Sequence, residues 1–305
     1  MKPGKFRLAN NNLAILFLLL LVVPIMTVAC GGGSSSPPVL TGLSVSQDIP
    51  FEGAMSWEAF TIGADTYLAA ANYYNGSSYN IDSKIYWWNG SAFAATQTIP
   101  TNGAYDWEHF TIGTDSYLAV ANNYNGSSYT IDSKIYWWNG AAFAETQTIT
   151  TSGASDWEHF NIGADHFLAV ANGDNGSSTN INSEIYKWNG SSAFSSFQSI
   201  LTNGASDWEH FTIGSDHYLA VANHYNGSSY NIDSKIYLWG GSSFTETQTI
   251  PTNGAMDWEH FTIGTNTYLV VANNYNGSSY SIWSCPVYVD RLALGFSNNR
   301  LYLLS

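Results

Sequence analysis

TIPTNGAYDWEHFTIGTDSYLAVANNYNGSSYTIDSKIYWWNGAAFAETQ, residues 98–147, is one copy of a unit that this chain spells five times over. Trp57, Trp107, Trp157, Trp208 and Trp258 recur at intervals of 50, 50, 51 and 50, and Asn72, Asn122, Asn172, Asn223 and Asn273 keep the same spacing. A period of this size marks propeller blades or a solenoid, because each unit is too small to bury its own apolar faces and must stack on its neighbours. Within the unit, four short stretches alternate with turn residues. Residues 106–112 lie between Gly103 and Gly113, residues 117–122 precede Asn125-Gly126, residues 134–138 end at Asn139-Gly140, and residues 143–149 run into the next copy. All four are rich in β-branched and aromatic side chains, and Asn-Gly is a strong turn signal, so each reads as a strand. Four strands per unit repeated about an axis is a propeller blade, and the chain is expected to be all-β, a β-propeller of four-stranded antiparallel blades, five in number. The small alanines of Tyr117-Leu118-Ala119-Val120-Ala121 suggest that this stretch lies nearest the crowded axis.

Composition agrees. Aromatic residues make up 15% of the chain and charged residues only 10%, against roughly 25% charged in an average globular domain. Such a chain must bury its rings rather than stay disordered. Net charge is −14. The first 29 residues carry Lys2, Lys5 and Arg7 and no acid, so the remainder sets 6 basic residues against 23 acidic ones. An acidic body repels phosphate backbones, which excludes nucleic acid as the expected partner.

The N-terminus reads as an export signal. The three basic residues precede an apolar run from Leu13 to Ala29, followed by Cys30 and GGGSSSPP at residues 31–38. Thr27-Val28-Ala29-Cys30 resembles the bacterial lipobox, with Thr27 where that motif has Leu, Val or Ile. The resemblance implies a signal peptide over residues 1–29, lipidation of Cys30, and a flexible Gly/Ser/Pro tether over residues 30–39 that leads into a propeller at residues 40–305. The expected location is the cell envelope, on the outer membrane or cell surface. An uncleaved membrane span is the other reading; the run is short for one and Pro24 interrupts it. The second cysteine, Cys285, then has no partner within the chain, so disulfides are not expected to hold the fold.

The two ends of the repeat array differ from its middle. Residues 43–50 match the last strand of a unit, so an orphan fourth strand is expected to close the ring on the last blade. After Ile282 the pattern breaks, with Cys285-Pro286 where Lys-Ile should stand. Val287–Val289 is a candidate third strand and Arg300–Leu304 a candidate edge strand; a frameshifted end is the alternative.

Gly-Ala-x-Asp-Trp-Glu-x-Phe, Tyr-Leu-Ala-Val-Ala-Asn, Ile-Tyr-x-Trp and Phe-x-x-x-Gln-x-Ile occur in this order over residues 43–282 and resemble the epitempin repeat, also called EPTP or EAR. The resemblance implies an extracellular propeller used for protein recognition without catalysis. The seven blades typical of animal members are not reached here.

No nucleophile elbow, HExxH, phosphate loop or Cys cluster is present, and the acids and histidines are spread over equivalent positions. No enzyme activity, no metal site and no cofactor is therefore expected. Glu-His pairs at 108–109, 158–159, 209–210 and 259–260 read as structural hydrogen bonding between blades, with metal binding at the channel end as the weaker reading. The loops 122–132 and their equivalents offer Asn with one Asp, poor Ca²⁺ ligands but good turn formers. The same loops supply the candidate binding residues Tyr74, Tyr124, Tyr225 and Tyr275 with Asn75, Asn125, Asn226 and Asn276, since exposed Tyr among Asn and Ser suits adaptable surfaces. The expected function is a non-catalytic surface lipoprotein for protein recognition or adhesion, with a lectin-like sugar binder as the alternative. The expected partners are a protein or a surface glycan, with the membrane reached through the N-terminal lipid.

Overall fold

The computed structural model describes residues 6–7, 47–49, 51–264, 266–279 and 286–289. The expected signal peptide apart from residues 6–7, Cys30, the expected tether, Cys285 and residues 300–304 lie outside the described residues. A two-residue strand, β1 (Phe6–Arg7), pairs with the first long strand. Among the described residues no helix is long and apolar enough to cross a membrane.

Every element after β1 is a strand, and the strands group by repeat. Blade 1 holds β2 (Ala54–Ile62), β3 (Asp65–Asn72), β4 (Asn80–Trp88) and β5 (Phe93–Asn102). Blade 2 holds β6 (Ala104–Ile112), β7 (Asp115–Asn122), β8 (Thr130–Trp138) and β9 (Phe143–Ser152). Blade 3 holds β10 (Ala154–Ile162), β11 (Asp165–Asn172), β12 (Asn180–Trp188) and β13 (Phe194–Asn203). Blade 4 holds β14 (Ala205–Ile213), β15 (Asp216–Asn223), β16 (Asn231–Trp239) and β17 (Phe244–Asn253). Blade 5 holds β18 (Ala255–Ile263), β19 (Asn266–Asn273) and β20 (Pro286–Val289). All pairings are antiparallel between strands consecutive in the chain. Val287–Val289 does act as a third strand: Pro286 faces Val270 as Ile236 faces Ala220, one period earlier. The sequence pattern fails there, but the backbone register survives.

The strand nearest the axis is the first of each blade. β2, β6, β10 and β14 each approach the first strand of the following blade, so the expectation that the Ala-rich second strand lies innermost is corrected. The alanines are small for another reason. In the second strands Ala69, Ala119, Ala169 and Ala220 are fully buried, as are Ala71, Ala121, Ala171 and Ala222. Small side chains there leave room for the large ring that the next blade inserts. Trp107, Trp157 and Trp208 are buried in this way, and their Nε1–H groups donate to the carbonyls of Ala70, Val120 and Val170 of the blade before, at 3.0–3.2 Å. Four apolar clusters result, one at each seam between consecutive blades. Phe60, Phe110, Phe160 and Phe211 stack on the Phe or Tyr across their hairpin, Tyr67, Tyr117, Phe167 and Tyr218. The repeat period is thus the period of a core that no single blade owns.

Among the described residues no comparable approach joins β18 to β2. Trp57 is only half-buried where its equivalents are sealed, and Phe261 is 36% exposed where Phe211 is covered. The orphan strand shows at one point. Gln47 clasps the backbone of Phe93, donating to its carbonyl at 2.8 Å and accepting from its N–H at 2.7 Å. Gln97, Gln147 and Gln198 clasp Phe143, Phe194 and Phe244 in the same way. Gln47 therefore stands where the outer strand of a blade preceding blade 1 would stand.

Candidate functional site

The side chains most suggestive of chemistry lie on the first strands, and their direction decides what they can do. Alternate residues of a strand face opposite sides. Asp and Glu of each Asp-Trp-Glu-His-Phe run face the following blade, while Trp and His face the preceding one. The carboxylate of Asp156 accepts from the Trp208 N–H at 2.9 Å, and that of Asp207 from the Trp258 N–H at 2.8 Å. Glu108 accepts from the His159 N–H at 2.9 Å and Glu209 from that of His260 at 3.0 Å. These acids fasten backbone across the seams, as the structural reading of the Glu-His pairs anticipated. Their burial would be costly without those partners. The imidazoles stack on the preceding blade's Phe rings: His109 on Phe60, His159 on Phe110 and His210 on Phe160, with ring centres 4.4–4.7 Å apart.

The loops after the second strands carry the Tyr and Asn residues picked out from the sequence. Each Asn builds its own turn. The Asn75 side-chain oxygen accepts from the N–H groups of Ser77 and Ser78 and from the Ser77 hydroxyl at 2.9–3.0 Å. Asn125, Asn226 and Asn276 repeat that set. Their oxygens are engaged. The tyrosines form a ladder along the rim: Tyr79 lies 4.5 Å from Tyr74 and 4.9 Å from Tyr124, and Tyr230 lies 4.4 Å from Tyr225 and 4.9 Å from Tyr275. They cap the seams. Tyr74 is the most open of the four, at 37%. Burial raises the hydroxyl of Tyr73, which sits against Tyr79 and Tyr105, well above the usual phenol range. The ladder breaks at blade 3, where Gly173, Asp174 and Thr179 replace its aromatic members. Among the described residues no three His, Cys, Asp or Glu side chains converge on a point.

A polar groove of about 410 Å³ lies along the outer strands of blade 1, lined by Glu52, Asn80, Ile81, Asp82, Lys84 and Thr98. Its charged groups differ from their copies elsewhere. In blade 2, Asp132 accepts from the Thr150 hydroxyl at 2.8 Å and Lys134 pairs with Glu145 at 2.8 Å, holding that carboxyl below its ordinary range. In blade 1 Pro100 stands opposite Asp82, as Pro251 stands opposite Asp233 in blade 4, and Ala95 takes the place of Glu145. Lys84 thus lacks the carboxylate that Lys134 and Lys235 keep. Asn80 stays fixed, its NH₂ group donating to the Asn125 carbonyl at 3.1 Å. Phe51, next in the chain to Glu52, is 52% exposed. The sequence held this signal in one substitution against its own repeat, Ala95 where blades 2 and 4 have Glu145 and Glu246, which the search for unique clusters passed over.

Sheets arranged this way, with a first-strand Trp locking each seam, define a repeat propeller. The EPTP domain matches the chain at residues 44–89, 92–139, 142–189, 193–239 and 243–280, and the chain belongs to that family. The human thrombospondin-type laminin G domain and EAR repeat-containing protein is 47% identical over 51 residues, which is 17% of this chain and 8% of the human protein; the mouse counterpart is 45% identical over the same length. The chain thus matches a small part of these relatives. Repeats of this family are protein-interaction modules, and a protein partner fits at that coarse level. Among solved structures, an α-L-arabinanase of Penicillium chrysogenum in complex with arabinobiose is 10% identical with a TM-score of 0.50, covering 72% of this chain and 75% of that one. An exo-β-1,3-galactanase of Phanerochaete chrysosporium is 10% identical with a TM-score of 0.48, covering 74% and 57%. The fold shared with the arabinanase corrects the functional expectation. A propeller of this form does not by itself indicate a non-catalytic recognition or adhesion lipoprotein, because its solved counterpart handles carbohydrate. In the Tyr/Asn loops of the alternative reading, the Asn side-chain oxygens are held in turns and the Tyr rings in the rim ladder.

Proposed function

We propose that this chain is an exported EAR-repeat propeller that holds a carbohydrate chain in the polar groove of its first blade and does not cleave it. The observation that carries the reading is the release of Lys84 from the carboxylate pair that Lys134 and Lys235 make, beside an Asp82 that faces proline. A carboxylate, an ammonium, the fixed Asn80 amide and the Thr98 hydroxyl supply donors and acceptors for sugar hydroxyls, and the open ring of Phe51 offers a face for apolar sugar carbons. The arabinobiose held by the arabinanase of the same fold favours this ligand class. Hydrolysis of a glycosidic bond calls for two carboxyl groups flanking it; the first-strand acids are engaged by the following blade, and Glu52 and Asp82 of the groove are the pair that an assay for reducing ends tests. Export and tethering rest on the N-terminal basic and apolar stretches and Cys30.

Affinity electrophoresis and calorimetry against arabino-, galacto- and xylo-oligosaccharides test the groove. Ala95→Glu with Pro100→Thr restores the pairs of blade 2 and is expected to weaken binding at least tenfold, a loss of about 1.4 kcal/mol or more. No reducing ends are expected to appear. Equal retention by this re-paired variant, or no saccharide held at all, overturns the reading. Mass spectrometry of the membrane fraction tests the tether: diacylglycerol remaining on a Cys30→Ser protein would refute it.

A further inference from the structure

Two neighbouring blades carry a feature that the other copies lack. In blade 3, His159 Nε2 lies 3.3 Å from His166 Nδ1, and in blade 4, His210 Nε2 lies 3.1 Å from His217 Nδ1. The two rings of each pair belong to the first and second strands of one hairpin and are inclined by 23° and 24°. The position of the second His is occupied by Ser116 in blade 2 and by Thr66 and Thr267 in blades 1 and 5. Ser116 faces His109 Nε2 at 2.7 Å, so an ordinary hydroxyl satisfies the first-strand His. Replacing it with a second imidazole puts two ring nitrogens face to face across one shared proton.

We propose that each of these pairs is a two-imidazole binding site for a divalent transition ion such as Zn²⁺ or Ni²⁺. Two nitrogens bound to one tetrahedral ion at about 2.0–2.1 Å stand about 3.3 Å apart, the spacing already built into both hairpins. The rings need not travel to bind. The first His of each pair is held by stacking on the preceding blade, His159 on Phe110 at 4.6 Å and His210 on Phe160 at 4.7 Å, so its orientation is fixed before the ion arrives. His166 and His217 are half-buried and face outward enough to admit an ion. On binding, the proton shared between the rings moves to the other nitrogen of its own imidazole, and both rings stay neutral. Among the described residues no third His, Cys, Asp or Glu converges there. The remaining coordination positions therefore fall to water or to a ligand brought with the ion.

Untagged protein stripped with chelator and titrated with Zn²⁺ and Ni²⁺ at neutral pH, with bound metal counted by equilibrium dialysis, tests the proposal. The expected stoichiometry is two ions per chain. His166→Ser and His217→Thr place residues the repeat itself uses at this position, so the fold is preserved. Each is expected to remove one ion, and the double variant both, with the metal-free Tm unchanged. Ser116→His should create a third pair with His109 and raise the count to three. Wild-type protein that holds no ion at submillimolar free metal, or a double variant that still holds two, overturns the assignment.

Discussion

At the scale of single residues, the repeat contains its own controls. His224 sits where blades 2 and 5 have Asn123 and Asn274, and its Nε2 is buried without a hydrogen-bond partner. Burial depresses its pKa, so the folded state favours the neutral ring. The stability this contributes is full above the ordinary imidazole pKa, about 6.5, and is lost as pH falls through the lowered folded value. His224→Asn is therefore expected to flatten the fall in Tm on acidification from neutral pH. Because Asn123 donates to the Ala154 carbonyl at 3.2 Å, the same amide at 224 should also gain about 1 kcal/mol at neutral pH. Thermal melts across a pH series measure both effects. Gly103 is constrained in the opposite sense. It has φ +52°, and a Cβ there would lie 2.5 Å from the Tyr124 carbonyl oxygen. Gly103→Ala should cost more than about 1 kcal/mol through backbone strain alone, read from urea midpoints.

At the scale of elements, the first strand of each blade is the joint of the molecule. Its Trp enters the blade before it and its acids fasten the blade after it. Trp157→Ala should empty a sealed site and destabilise by about 3–5 kcal/mol. Trp57→Ala, at a half-buried position, should cost less than half as much, since less apolar surface is removed from the interior. Calorimetric unfolding of the two variants side by side separates a seam Trp from an end Trp; equal losses would mean that the first seam face is covered in solution. The strand count and the turns were legible in residues 98–147, because period-two apolar runs and Asn-Gly turns act locally. Strand order from the axis was not. Alanine is small both where backbone crowds an axis and where a neighbouring ring is inserted, and sequence does not tell those apart.

At the scale of the whole molecule, successive outer strands are linked by the glutamine clasps. Gln198→Leu removes two hydrogen bonds to the Phe244 backbone and leaves that N–H and carbonyl unanswered, a loss of about 1–3 kcal/mol. Gln248 is the next member of the series, and its Nε2 is buried without a partner. Gln248→Leu is expected to cost far less, or to stabilise, because an apolar side chain leaves no donor to satisfy. The difference in Tm between the two variants reports whether an outer strand of blade 5 is present in solution: a Gln248→Leu loss as large as that of Gln198→Leu would mean that the clasp is closed.

Sequence alone determined that the chain is built from five copies of one four-stranded sheet and that its rings must be buried between copies. Those conclusions depend on composition and spacing, which the chain states openly. Tertiary structure decided which residues are still available for binding. The loop tyrosines and asparagines, the most site-like letters in the sequence, pack into turns and the rim ladder, while Lys84 is released by a substitution on a neighbouring strand. The His pairs arise because residues seven apart meet across a hairpin. Each outcome turns on which side of a strand a group faces and what stands opposite it, and that is settled only when the strands pair.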